Sequence, residues 1–388
     1  MKPTSFPSYR IAVPFLILFS LLLVACTRQA DTTQQMQQNA LKYIRQYAQD
    51  KTAQFAATVS TLQSASNDYY TLTKANNFDY KKLAKEQAST LLTRLNNART
   101  AWLSARSTYN QVEGITAQVT AFQLYDLVIS SGVAPEKEEG QDNDDEVIAR
   151  PIVTPIDLTL PNGKILKTPG SLLSVLAEVL WELNPEYDTK VPFDYQVSSA
   201  HEVGNTLPDA NALKGAADTI VRYANELASK VNRWQPTLGE VFSCLRDDLT
   251  TIDAHFGAWA SIIFSPDNES GQDSSLKDFD DEVNSRLYDF ADTITGWQNI
   301  YAVLSPLAHT ADSAADTFVT HGLSNLRHSI FDLYMQQRQG KTFTYDQVSN
   351  FRIGAVAQAT AVNDHLGLIT TKLKIAPPAV GLSASSAA

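Results

Sequence analysis

Apolar residues recur at steps of three and four along nearly the whole chain. The clearest run is Leu276, Phe279, Val283, Leu287, Phe290, Ile294, Trp297, Tyr301 and Leu304, which falls on one stripe of a long helix ended by Pro306. The same spacing joins Leu41, Ile44, Tyr47, Phe55, Val59 and Leu62, and it returns from Leu83 through Leu95 to Val112. Ile220, Tyr223, Leu227, Val231 and Trp234 make a stripe closed by Pro236. Val241, Leu245, Leu249, Ile252, Phe256, Trp259 and Ile263 read as one further helix. Two more occupy 317–339 and 345–373, separated by Gly340-Lys341. Long amphipathic helices with short breaks predict an all-α fold, with antiparallel helices in one or two up-and-down bundles.

One insert, 131–170, departs from this period. It opens with an acidic run over 136–146 and continues through Pro151, Pro155, Pro161 and Pro169. Within it, Leu158-Thr159-Leu160 and Ile165-Leu166-Lys167 flank Pro161-Asn162-Gly163-Lys164, which predicts a small hairpin with an Asn-Gly turn. A short helix over 171–182 and an irregular stretch over 184–208 follow. Residues 377–388 read as a disordered tail.

The N-terminus changes the picture of where such a bundle works. Lys2 and Arg10 precede an apolar run of about 15 residues ending in Leu23-Val24-Ala25-Cys26, short for a membrane span of roughly 20. The small residues before the Cys resemble the bacterial lipobox. Residues 1–25 are therefore expected to be a lipoprotein signal peptide, with Cys26 the lipidated residue. Residues 26–38 read as a tether and 39–376 as the folded domain. Thr27 stands where an Asp would retain a lipoprotein at the inner membrane, so an outer-membrane anchor facing the periplasm is the expectation.

The full chain of 388 residues carries a formal charge of −11, and losing Lys2 and Arg10 makes it more negative still. That argues against nucleic-acid binding, which rests on Lys and Arg displacing counterions. It also leaves the membrane contact to the acyl chains on Cys26. With Cys26 acylated, Cys244 has no intramolecular disulfide partner and reads as a small buried hydrophobe.

Sites of chemistry are sparse. Asp142 to Glu146 has the look of a calcium loop, but Val147 and Val153 stand where the loop needs Gly and Glu. His309, Asp312 and Asp316 would share a helical face if a helix began at His309, giving a metal-ligand triplet or a capped helix start. His255 is expected at a core edge, paired with Asp253. His321 and His328 read as surface residues, and His201-Glu202 as a loop pair. No HExxH, GxSxG, CxxC or Gly-rich phosphate loop occurs.

Ala105-Arg106, Tyr109 and Val112-Glu113 resemble the end of an early long helix in imelysin-like proteins, which include periplasmic iron-uptake proteins of the Efe type. Leu287-Tyr288-Asp289-Phe290, Ile294-Thr295-Gly296-Trp297 and Leu304-Ser305-Pro306 resemble a later block of that family, and the stretch 334–345 with its final helix is similar too. The resemblance implies an all-helical, exported protein linked to iron or haem acquisition, with iron or another divalent cation as its ligand and an uptake component as its partner. Glu113 matches a Glu of the early motif, and Asp278 with Asp280 fall at acidic positions before the later block; these three are the implied metal ligands. The family's His-x-x-Glu motif has no counterpart here. The segment expected to hold it runs from Gly170 to Trp181 without a His, and Glu178 is offset. The chain is thus expected to be non-catalytic. The alternatives are an interaction lipoprotein that recognises a partner through 131–170, and a residual metallohydrolase with a rearranged site.

Overall fold

A computed structural model describes residues 12–132, 156–167, 169–193, 195, 206–263 and 286–376, without the side chains of 12–31, 261–263 and 286. The fold is all-α. Helix α1 spans Ala12–Ala75, α2 Tyr80–Glu86, α3 Ala88–Thr116 and α4 Gln123–Asp126, the last running into a π turn at Leu127–Ser131. After the insert come α5 (Leu172–Leu180), α6 (Ala210–Arg233), α7 (Leu238–Leu249) and α8 (Ile252–Ile263). Helices α9 (Arg286–Ala311), α10 (Ser313–Arg338) and α11 (Tyr345–Lys372) close the chain.

Helix α1 packs along α3 and α6, α9 packs along α10, and α10 along α11; α3 against α9 joins the two groups. Their buried faces merge into one continuous apolar core reaching from Ala40 to Ile369. Among the described side chains of α1 the first buried one is Ala40, followed by Ile44, Ala48, Phe55, Val59, Leu62 and Tyr69, a stripe at helical spacing. Caps fix most of the helix starts: Ser171, Asp209, Thr237 and Asp312 each accept backbone N–H groups of the first turn, and Thr344 forms a capping box with Gln347.

The joint between α3 and α9 depends on two glycines. A Cβ at Gly114 would run into the Asp248 carboxylate and the Trp297 indole, and one at Gly296 into the Gln111 carbonyl. Only hydrogen at these positions lets the helices approach so closely.

Residues 26–38 are helical backbone, continuous with the rest of α1; the Gln and Ala residues there favour helix. Three expectations change. Pro306 does not end its helix, which continues to Ala311. Pro removes one donor, but Leu304, Leu307 and Ala308 are buried on both sides of it, and that packing offsets the cost of about 3 kcal/mol. The stripe from Val241 to Ile263 is two helices, because the Thr250 and Thr251 hydroxyls and amides all turn back to the Asp247 and Asp248 carbonyls. The irregular stretch 184–208 contains a strand pair, β3 (Asp188–Pro192) with β4 (Thr206–Pro208), whose irregular register hides it from a period-two reading.

The predicted hairpin is present, with β1 (Leu158–Thr159) antiparallel to β2 (Ile165–Leu166). Gly163 takes the left-handed position at φ +83. Leu158, Leu160 and Leu166 point inward, and Leu160 sits against Gly215 of α6. The acidic run and the His201-Glu202 pair lie outside the described residues. Among the described residues no helix is long and apolar enough to cross a membrane.

Candidate functional site

Arg106, Asn110 and Glu113 lie at steps of four and three on α3 and so share one face. They line a cavity of about 240 Å³ together with Ser130 of the π turn, Asp289 of α9, His255 of α8 and Glu178 of α5. Helix α5 is held onto this wall by α3: the Trp102 indole N–H donates to the Leu173 carbonyl at 2.9 Å and Arg99 Nε to the Leu180 carbonyl at 3.0 Å.

Asp289 is gripped from two sides. Arg106 pairs with its Oδ2, and Asn110 Nδ2 donates to its Oδ1 at 2.8 Å. The Arg106 guanidinium also lies over the Trp102 ring, 4.9 Å from its centroid. His255 stacks on Phe290, with centroids 4.6 Å apart and planes 12° from parallel.

Two further carboxyls, Asp126 and Asp248, stand behind Glu113. Glu113 accepts from Ser130 Oγ at 2.8 Å. Asp126 accepts from Tyr109 Oη and Ser131 Oγ, each at 2.8 Å. Asp248 accepts from the Trp297 indole at 2.6 Å and from Gln118 at 3.2 Å. Both serines come from the π turn, whose wider winding aims two successive hydroxyls at two different acids.

Enclosure dominates the acid–base chemistry. Burial pushes Glu113 up to about 8, and the charges of Asp126, Asp248 and Asp289 push the same way against the Ser130 hydrogen bond. Burial likewise raises Asp248 to about 6, opposed by the Gln118 and Trp297 donors. Asp292, beside Ser107 and Gln111, is raised by burial too. Tyr109 is driven well above its ordinary range by burial, and then by Asp126 and Glu113, so it stays a donor. At neutral pH Glu113 therefore holds its proton, and the cavity presents a carboxylic acid next to an Arg–Asp pair.

Of the predicted ligands, Glu113 is in this site, while Asp278 and Asp280 lie outside the described residues. Cys26 falls in α1, where only the backbone is described. His309, Asp312 and Asp316 do not share a helical face. His309 is in the last turn of α9, Asp312 caps α10, and the chain breaks between the helices at Asp312. Asp312 faces away to Lys372 at 2.8 Å, which holds its carboxyl below the usual range. Asp316 is buried and accepts from Tyr301 Oη at 3.0 Å, with His309 Nδ1 at 3.2 Å. Among the described residues no three His, Cys, Asp or Glu side chains are placed to hold a metal ion. Asp253 pairs with Arg352 rather than His255. The exposed His328 meets Asp332 at 3.3 Å.

Arg106, Asn110, Asp126, Asp248 and Asp289 were not singled out as site residues. Arg106 and Asp289 do stand inside the two sequence blocks that carry the family resemblance, and the fold sets those blocks face to face across the cavity. Glu178, offset in sequence from the expected motif, reaches the same wall. Asp126 and Asp248 gave no signal, since isolated carboxyls in a chain this acidic read as solvated surface.

No protein-family profile matches the chain, and no curated protein matches its sequence.

Proposed function

We propose that this chain is a lipid-anchored, non-catalytic binding protein of the cell envelope, linked to iron acquisition, whose ligand enters the cavity beside Glu113. The observation that carries this reading is that Glu113 and Asp289 border one cavity, close enough for the charge of Asp289 to raise the Glu113 carboxyl. A volume of about 240 Å³ is below the roughly 300–1,000 Å³ of drug-sized ligand sites, which favours a hydrated cation or a few-atom ligand over haem. A cation entering here displaces the Glu113 proton and competes with Arg106 for Asp289, so the charge that Arg106 now supplies is exchanged for that of the cargo. The acyl chains on Cys26 hold the protein at the outer membrane, facing the periplasm.

Calorimetric titration of residues 27–388 with iron(II), iron(III), zinc and haem tests this reading. An iron isotherm near one equivalent, weakened about tenfold or more in Glu113→Gln, is the expected result. No heat with any of the four ends the direct-capture reading and leaves partner recognition through 131–170 in front. Separately, palmitate labelling should reach the wild-type chain and fail in Cys26→Ser.

A further inference from the structure

The chain reverses after α1 through a turn in which Asn77 and Phe78 both take φ +57. For Phe that is a left-handed backbone rarely adopted by a residue with a Cβ. The Phe78 amide donates to the Thr73 carbonyl at 2.8 Å, and its ring packs between Tyr70 and Tyr80, with centroids 5.7 and 6.5 Å away. Tyr80 Oη accepts from the Ala210 amide at 3.1 Å, so α1, α2 and the start of α6 meet at one end of the bundle.

Lys residues crowd this end. Over 74–86 four Lys stand against Asp79 and Glu86, in a chain whose total charge is −11. Lys74 and, from α6, Lys214 both lie over the Tyr70 ring, 5.8 and 5.7 Å from its centroid. The acids here are engaged: Asp79 and Asp209 cap α2 and α6, Glu86 faces Lys82 at 4.0 Å, and Asp218 holds Lys214 at 3.0 Å. Asp188 of β3 accepts from the Lys190 amide at 2.7 Å. Lys74, Lys81 and Lys85 are exposed and, among the described residues, pair with no carboxylate. Lys81 and Lys85 sit one turn apart on α2, where like charges repel and weaken a helix.

Lys presents a point charge rather than the planar fork with which Arg grips a single phosphate or carboxylate. Point charges about 6 Å apart suit a chain that carries its own charges at a similar repeat, and alternate side chains of an extended peptide recur every roughly 7 Å. The Lys end lies about 70 Å along α1 from Cys26 at 1.5 Å per residue, which on the anchor reading favours a protein over the headgroups around that anchor. We propose that this end of the bundle is a docking surface for a partner protein that presents an acidic segment, its carboxylates on Lys74, Lys81 and Lys85. The surface is separate from cation binding at Glu113, since none of these Lys borders that cavity.

A fluorescein-labelled Glu decapeptide is the probe, titrated by anisotropy against the full chain in nanodiscs of zwitterionic lipid at about 50 mM salt. The total charge of −11 repels this probe, so binding reports the patch. Saturable one-to-one binding is expected, weakened about tenfold by raising salt to about 300 mM and about tenfold in Lys81→Gln/Lys85→Gln. Both Lys are exposed, so the substitutions leave the core intact. Lys42→Gln/Lys230→Gln removes two exposed charges from the other end of α1 and α6 and should leave the affinity within about twofold. Failure to saturate at millimolar peptide overturns the proposal, as does equal weakening by the two double variants. Phosphatidylglycerol vesicles that bind through the same Lys more tightly than the peptide would overturn it too and assign this end to a membrane.

Discussion

Arg106 and Asp289 form one ion pair that borders two cavities, the small acidic one beside Glu113 and the larger aromatic one beside Tyr334. Removing either partner breaks this largely buried ion pair. Arg106→Gln and Asp289→Asn should each cost about 2 kcal/mol, and the double variant less than their sum, as read by urea unfolding in a double-mutant cycle. Additive losses would show that the pair contributes nothing beyond its separate side chains.

The raised pKa of Glu113 makes a prediction about pH. Its folded value of about 8 lies above the ordinary value of 4.5, so the folded state binds the extra proton across that interval. Stability is then full below the lower value and falls as pH rises toward the higher one. Asp248 adds a smaller decline between 3.8 and about 6. Glu113→Gln removes the ionisable proton, and unfolding free energy between pH 5.5 and 8.5 should fall less in the variant, by about 3 kcal/mol. A wild-type decline that the variant reproduces in full would locate the titration elsewhere.

Cation uptake must answer to the same proton. If Glu113 ionises to bind, affinity should rise with pH up to about 8 and one proton should leave per cation. Calorimetry in two buffers of different ionisation heat counts that proton. A proton count of zero would take Glu113 out of the ligand set.

The close crossing of α3 and α9 can be probed at a single hydrogen. Gly296→Ala drives a methyl into the Gln111 carbonyl, whereas Gly354 in α11 faces open space. Ala is the better helix former by about 1 kcal/mol at both positions. Gly354→Ala should raise stability by roughly 0.5–1 kcal/mol, and Gly296→Ala should lower it by about 2 kcal/mol. Thermal unfolding of the two variants side by side decides, and a shift of equal sign would remove the steric argument.

Much of the bundle was legible because its signal is redundant. The final three helices carry their stripes through Trp297, Leu326 and Leu366, and burial at helical spacing follows. Pro306 misled because a local rule about a missing donor was weighed without the packing of Leu304 and Ala308. Thr250 and Thr251 misled in the opposite direction, since polar side chains that bend a helix leave the apolar period intact. The site was half legible. Glu113 was found, but its partners Asp289 and Ser130 reach it from elements distant in sequence, and no spacing rule reports which carboxyls a fold will enclose.

Helix α3 could present Glu113 without any help, but the hydrogen-bond donor on that acid comes from the π turn at Leu127–Ser131. Such a turn holds one residue more than the α-helical turn it replaces. Deleting one of Leu127, Val128 or Ile129 should restore ordinary winding and swing Ser130 and Ser131 off both acids. The aim of the site is set by a count of residues as well as by their identity.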